Sequence, residues 1–462
     1  MLDQLFIYLE SFEDILWGYF GVPVLMILGI YLTFYSNFFQ IRKFPYVVKT
    51  FIGFLRLKQT DERGVHPLKA FFACVGGCVG VGNIAAICTA VQIGGPGALF
   101  WIWVTAIVGM ILKYAEVYLG LLYRVPNAHG EYNGGPMYFL QKVFKSSWVP
   151  SLVCLMLCIY GVEIYQFSIV TTSISSNLGI NQLVVVFGLL GLVIFAGSGG
   201  VQRVGSISSA VIPFFVVLYV GMGLWVLFNN LTVIPTVLGE VFSTAFTGSA
   251  ATGGFVGSSF LVAISQGVRR GCYTGDVGVG YASVIHSESS AKVPQAQASL
   301  VIFDIFLDTF VICTTSIMLV LVTGVWSEAP DGAMLVQSAL AQYFPHMNYF
   351  MPFFLFLLGY STINAYFCVG LKCAEYLSPK FGRPAYYVYA VVALFTFSFV
   401  STYQAQIVMT IVGGALLLIN CYGIFRLRHE ISFELPDEVL ATESQETLLA
   451  NPVGDDRLPE VG

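Results

Sequence analysis

The chain has 462 residues, of which 57% are hydrophobic and only 10% charged, with a formal net charge of -5. Soluble globular chains carry roughly 25% charged and about 45–50% apolar residues, so this composition excludes a protein that faces water all round. The ten cysteines form no CxxC pair, and most (Cys74, Cys78, Cys88, Cys154, Cys158, Cys313, Cys368, Cys421) lie inside apolar runs as small buried hydrophobes, which excludes a disulfide framework.

Residues 1–14 carry Asp3, Glu10, Glu13 and Asp14 and no Lys or Arg, so the basic start of a cleaved signal peptide is missing. Windows of about 20 apolar residues, long enough to cross a hydrocarbon core of about 30 Å, predict about eleven membrane spans. The first runs from about 15 to 38. The others fall near 70–93, 98–122, 150–176, 183–198, 207–228, 240–268, 298–323, 350–371, 384–401 and 405–425. An all-α polytopic membrane protein is therefore expected.

The charges give an independent check. With the N-terminus outside, the loop 39–69 is cytoplasmic and holds Arg42, Lys43, Lys49, Arg56, Lys58, Arg63 and Lys69. Later cytoplasmic segments hold Arg124, Lys142 and Lys145, then Arg203, then Arg269, Arg270 and Lys292, then Lys372, Lys380 and Arg383. The outside loops contain no Lys or Arg, as the positive-inside rule requires. Beyond Arg426 and Arg428 the chain turns acidic (Glu430, Asp437, Glu438, Glu443, Asp455, Asp456) and reads as a solvated cytoplasmic tail.

Setting the first span aside leaves ten. The first of these carries Gly76-Gly77-Cys78-Val79-Gly80-Val81-Gly82-Asn83 near mid-span, and the sixth carries Thr252-Gly253-Gly254-Phe255-Val256-Gly257-Ser258-Ser259. Each glycine costs a helix interior roughly 0.8–1.0 kcal/mol relative to alanine, so both runs predict unwound backbone. Five helices is an odd number, so two halves of five enter the membrane from opposite sides, an inverted repeat. Paired interruptions of this kind point to a transporter's midplane site. The half-helix starting near Gly82 turns free N–H groups and a positive dipole end toward a substrate carboxylate. Carbonyls freed around Gly76, Val79 and Gly80 can ligate Na⁺. The expected layout is an N-terminal helix and basic loop (1–69), a first repeat (70–228), a second, inverted repeat (229–425) and the tail (426–462).

The stretch from Gly80 to Arg124, GVGNIAAICTAVQIGGPGALFWIWVTAIVGMILKYAEVYLGLLYR, resembles the alanine or glycine:cation symporter family, as do Gly134-Gly135-Pro136-Met137-Tyr138 and the stretch from Ala250 to about Gly324. The resemblance implies a leucine-transporter-type fold with broken first and sixth core helices. It implies Na⁺-driven uptake of alanine, glycine or a close relative, in a bacterial or archaeal cytoplasmic membrane. Its implied partners are the amino acid, Na⁺ and the bilayer, with no other cofactor and no nucleic acid. By the same resemblance Gly80, Gly82 and Asn83 receive the substrate carboxylate, Gln166 stands beside the substrate, and Phe255 walls the pocket. Ser361 and Thr362 would complete a Na⁺ site with the carbonyls of Gly76 and Val79. Cys78 and Val81 stand where the family usually has Thr, Tyr366 replaces its usual Trp, Leu371 replaces a nearby Glu, and Thr274-Gly275-Asp276-Val277-Gly278 takes the place of a Gly-Asn-Glu-Ala-Gly-like segment. Tyr366 reshapes a pocket wall and adds a hydroxyl, which brings serine or another small polar amino acid into range.

Ionisable residues inside spans are functional candidates. Lys113 and Glu116 are three apart on one helix face, and the spacing predicts that they pair as a structural lock. Glu163 lies three residues before Gln166 and is the candidate for an alternative, proton-coupled mechanism. Asp304 and Asp308, one turn apart, are candidates for gating or for pairing with a lysine. The five histidines (His66, His129, His286, His346, His429) fall in predicted loops, leaving none for an intramembrane zinc or haem site, so an enzyme is not expected. A channel would need a pore loop or intersubunit filter, and the paired interruptions fit alternating access better.

Overall fold

The computed structural model describes residues 2–56, 63–127, 130–197, 199–247, 260–327 and 334–435. These residues are almost entirely helical, apart from a two-stranded antiparallel ribbon that pairs Val125–Pro126 with Tyr132–Asn133. Helices suit this composition because hydrocarbon offers the backbone no hydrogen-bond partner, so every N–H and C=O must be satisfied within the segment. Among the described residues seven helices are long and apolar enough to span: Gln4–Tyr35, Ala98–Leu122, Trp148–Leu178, Gly200–Asn229, Pro294–Thr323, Met347–Leu377 and Thr402–Arg426. An eighth consists of Pro67–Cys78 and Val81–Gly94, bent by 51° at a break. Gln182–Gly197 and Gly382–Phe397 are shorter.

The polarity pattern is inside-out. Phe187, Phe195, Val217, Phe228, Val388 and Val392 are exposed, whereas Lys113, Glu116, Asp304, Asp308 and Asn420 are wholly buried. Apolar side chains cover the outside and the polar chemistry is enclosed between helices, as a lipid-facing protein demands.

Three expectations are corrected. The first helix begins at Leu2 and passes through a π-helical turn at Leu16–Gly21 to Tyr35. Its acidic residues do not end it, because Glu13 and Asp14 pair with Arg269. The sixth core span is not 240–268. A separate helix occupies Ile234–Thr247, the Thr252–Ser259 interruption and Phe255 lie outside the described residues, and two helices follow, Phe260–Gly275 and Tyr281–Ser287. The break that the structure shows is therefore Asp276–Gly280. Arg269 and Arg270, expected in a cytoplasmic loop, lie inside the helix Phe260–Gly275 and are buried.

The two broken helices run antiparallel. Pro67–Cys78 packs on Tyr281–Ser287, and Ala86–Gly94 packs on Phe260–Gly275. Their breaks meet at one level, where a Cβ on Gly82 would lie 3.5 Å from the Tyr273 ring. Ala98–Leu122 packs on both halves of the second broken helix, and Met347–Leu377 packs on Pro67–Cys78 and Ile164–Leu178.

Candidate functional site

The helix Pro67–Cys78 opens with His66, whose side chain accepts the Leu68 N–H, and with proline in its first turn. It ends where Val79 (ψ 88°) and Gly80 (φ -130°, ψ -163°) carry the chain out extended. A single 3₁₀ turn, Val81–Asn83, leads to the helix resuming at Ala86. Side chains take over the freed backbone groups. Gly80 N–H donates to Asn83 Oδ1 at 2.9 Å, and Val81 N–H donates to Gln166 Oε1 at 3.0 Å. A Cβ on Gly80 would come within 2.4 Å of Gln166 Oε1 and 2.6 Å of Thr362 Oγ1, so only glycine admits both neighbours.

The Ser361–Thr362 pair divides its contacts. Thr362 Oγ1 donates to the Gly76 carbonyl at 2.9 Å, whereas Ser361 Oγ lies 2.7 Å from Ser208 Oγ on Gly200–Asn229. Val79 is fully buried at the end of the first half-helix. Asn83 Nδ2 donates to the Asp308 carboxylate and to Cys313 Sγ at 3.2 Å. Thr309 Oγ1 donates to the other Asp308 oxygen at 2.9 Å. Asp308 sits in a π-helical turn, Phe306–Cys313, which interrupts its span at the level of the junction.

Lys113 and Glu116 do not pair with each other. Lys113 Nζ lies 2.7 Å from Asp304 Oδ2, 2.9 Å from the Gly275 carbonyl and 3.1 Å from Cys78 Sγ. Glu116 accepts the Gly280 N–H at 3.1 Å and the Ser283 N–H at 3.3 Å. Gly275 closes the first half of the second broken helix, and Gly280 and Ser283 open the second half. The cation therefore meets the negative C-terminal end and the carboxylate meets the positive N-terminal end, the arrangement that helix dipoles favour. The expected Lys113–Glu116 pair is thus replaced by two separate sets of contacts, one at each end of the break. Asp304 takes the lysine, and Asp308 takes Asn83.

Glu163 and Asp276 share an unusual backbone, with φ of 49° and 48°. Left-handed conformations are uncommon outside glycine, and here both carboxylates sit at breaks: Glu163 between Trp148–Tyr160 and Ile164–Leu178, Asp276 between the halves of the second broken helix. Glu163 faces Gln166, Tyr273 and Asp276. Tyr160 OH donates to Asp276 Oδ1 at 3.3 Å, while Glu163 Oε2 and Asp276 Oδ2, both buried, have no protein partner among the described residues. Tyr366 stacks on Tyr281 with ring centroids 4.2 Å apart and meets Tyr160 edge-on at 5.4 Å.

The junction thus gathers Gly76, Val79, Gly80, Gly82, Asn83, Gln166, Ser361, Thr362, Tyr366 and the five ionisable candidates around the two breaks. Sequence reasoning missed Ser208, Tyr160, Tyr273 and Tyr281. For Tyr281 the signal was its place one residue past the Gly278–Gly280 pair. His286, expected in a loop, is buried in the helix Tyr281–Ser287 with Nδ1 2.7 Å from Gln297 Nε2. Chemically, the junction offers a helix start rich in N–H groups, a hydroxyl–carbonyl oxygen pair and two buried carboxylates, each with one oxygen unpartnered among the described residues.

Comparison with known proteins agrees with this architecture. The family described as the sodium:alanine symporter family matches residues 3–446. The uncharacterized transporter YflA of Bacillus subtilis (strain 168) is 33% identical over 90% of this chain and 86% of its own. The sodium/alanine symporter AgcS of Methanococcus maripaludis is 30% identical over 90% of this chain and 94% of its own. Among solved structures, MhsT in complex with L-phenylalanine superposes with a TM-score of 0.57 over 83% of this chain and 93% of its own, at 15% identity, a likeness of fold.

Proposed function

Because the chain belongs to the sodium:alanine symporter family, whose members are Na⁺-coupled amino-acid transporters and not enzymes, we propose that it couples Na⁺ entry to uptake of a small neutral amino acid by alternating access. Alanine and glycine are the first substrates, with serine admitted by the Tyr366 hydroxyl. The observation that carries this reading is the meeting of two antiparallel broken helices at one buried level. Irregular backbone at that depth is tolerated only inside protein or beside a cavity, and broken helices in matching places mark a transporter's site.

In this reading the start of the second half-helix, with Gly80, Gly82 and Asn83, receives the substrate carboxylate. Gln166 releases Val81 N–H as the carboxylate arrives, and Tyr366 forms a wall. Na⁺ sits among the carbonyls of Gly76 and Val79 and the hydroxyls of Ser361 and Thr362, all hard oxygen donors. The 2.9 Å between Thr362 Oγ1 and the Gly76 carbonyl oxygen suits two ligands of one small cation. The repeats comprise 70–228 and 229–425, preceded by the helix and basic loop of 1–69 and followed by the tail from 426. The N-terminus lies outside the cytoplasmic membrane and the C-terminus inside, because the basic loop 39–69 stays cytoplasmic.

The test is accumulation of labelled alanine, glycine and serine in proteoliposomes under an imposed Na⁺ gradient, a proton gradient, or neither. Uptake driven only by Na⁺ is expected. The Thr362→Ala variant should insert normally and raise the half-saturating Na⁺ concentration about ten-fold, the equivalent of about 1.4 kcal/mol. Unchanged Na⁺ dependence in that variant would remove Thr362 from the ion site. One observation favours a second reading, proton coupling through Glu163: its buried Oε2 has no protein partner. That reading predicts accumulation under the proton gradient alone, lost in Glu163→Gln.

A further inference from the structure

Arg270 is only 4% exposed, and its Nε and Nη1 have no hydrogen-bond partner among the described residues. Its neighbour Arg269 is satisfied, bonding Glu13 at 3.1 Å and Asp14 at 3.0 Å. Glu13, the acid within electrostatic reach of Arg270, is thus already bridged to Arg269. A guanidinium does not shed its proton in proteins, and an uncompensated buried ion is strongly destabilising. Arg270 therefore calls for an anion.

Its surroundings are arranged to receive one. Gln266, Arg270 and Tyr273 recur at i, i+4 and i+7, on one face of the helix Phe260–Gly275; Tyr273 OH has no hydrogen-bond partner among the described residues and can donate to an anion, as can the Gln266 amide N–H. From the other side comes Tyr165, whose ring lies 6.1 Å from that of Tyr273. Tyr165 and Tyr403 both lie within electrostatic reach of Arg270. The stripe leads to the junction: Tyr273 is the residue that a Cβ on Gly82 would touch. Arg270 precedes it by three residues, about 4.5 Å along the helix, on the side where this half-helix packs against Ala86–Gly94.

We propose that Arg270, with Gln266 and Tyr273, is a carboxylate-binding station on the outer approach to the junction. It holds the α-carboxylate of the incoming amino acid before that group passes to the helix start at Gly82. A planar guanidinium matches a carboxylate with two parallel hydrogen bonds, and every amino-acid substrate carries that group. The station rests on the amino-acid transport reading for its ligand, while the anion site rests on the buried, unpartnered Nε and Nη1 of Arg270.

The test uses the purified full chain, wild type, Arg270→Gln and Arg270→Lys. It reads thermal unfolding with and without propionate, a carboxylate lacking the ammonium group, or chloride, and the KM for labelled alanine in proteoliposomes. Propionate is expected to raise the unfolding temperature of the wild type and not of Arg270→Gln, with Arg270→Lys between them. Without ligand, Arg270→Gln should unfold no earlier than wild type, since it removes a buried charge whose neighbouring acid, Glu13, is bridged to Arg269. Its KM for alanine should rise about ten-fold or more, the loss expected of one charged hydrogen-bonded contact. An equal propionate shift in wild type and Arg270→Gln, or a lower unfolding temperature in Arg270→Gln with unchanged KM, would overturn the station and leave Arg270 structural. A shift with chloride but not propionate would overturn the carboxylate assignment. If the wild type accumulates no amino acid, the transport reading fails, and the propionate arm still decides the site.

Discussion

Lys113→Met is expected to lower stability by about 3–5 kcal/mol, the cost of leaving one member of a buried ion pair alone, and to abolish transport. Lys113 and Asp304 are both fully buried, with Nζ and Oδ2 2.7 Å apart. The same ammonium binds the last carbonyl of the helix Phe260–Gly275 and the Cys78 thiol beside the first break. Its loss would orphan a carboxylate in the membrane interior and release three elements at once: Pro67–Cys78, Phe260–Gly275 and Pro294–Ile305. The double variant Lys113→Met/Asp304→Leu should recover most of the stability, since replacing a buried pair with apolar side chains is often neutral or stabilising. It should not recover transport, because the clamp on the second break is still missing. Thermal unfolding in detergent and labelled-substrate uptake read the two effects separately. A single variant as stable as wild type would show that the pair carries no stability. A double variant that transports normally would show that the clamp has no part in the cycle.

Gly77→Ala is expected to be nearly as damaging, although it adds one methyl group. A Cβ at Gly77 would fall 1.9 Å from the Tyr281 hydroxyl and 2.4 Å from its Cζ, so the tyrosine must move. That hydroxyl donates to the Ala73 carbonyl at 3.0 Å, and its ring stacks on Tyr366 at the junction. Overpacking costs about 1–3 kcal/mol, and the lost hydrogen bond adds about 1 kcal/mol. Displacing Tyr281 also withdraws the support behind Tyr366, so uptake should fall further than stability does. Tyr281→Leu in the Gly77→Ala background should restore folding without restoring uptake. Gly188→Ala is the control: nothing lies within 4 Å of its Cβ, so that variant should be neutral or slightly stabilising. If Gly77→Ala matched Gly188→Ala in both measurements, the close approach of the two broken helices would have no functional weight.

Much of this architecture is legible one segment at a time. The predicted span 98–122 coincides with the helix Ala98–Leu122, and 405–425 falls within Thr402–Arg426. Insertion depends on the summed hydropathy of about 20 neighbouring residues, a local quantity. The first break is legible for a similar reason. Glycines at 76, 77, 80 and 82 weaken the helix wherever it packs, and the chain leaves the helix at Val79 and Gly80. The family resemblance then named Gln166 and Thr362, which lie on the first break through the Val81 N–H and the Gly76 carbonyl.

Partners distant in sequence were decided by packing. Two glycine-rich runs, 252–257 and 275–280, lie close together in the chain, and local propensity does not rank them. The break at Asp276–Gly280 is set by Lys113 and Glu116, supplied more than 150 residues earlier by the helix Ala98–Leu122. The i, i+3 spacing of those two residues fixed only that they share a face; their partners depend on which helix ends that face meets. Arg269 and Arg270 read as loop residues because two adjacent arginines are costly in a membrane. The fold buries them by bringing Glu13 and Asp14 to Arg269 from the start of the chain. Composition and periodicity therefore determined that this chain spans a membrane with a broken helix at its centre. The charges that clamp the second break, and the arginine whose Nε and Nη1 have no hydrogen-bond partner among the described residues, were decided only when helices far apart in sequence packed together, because a charge's partner is set by distance in space.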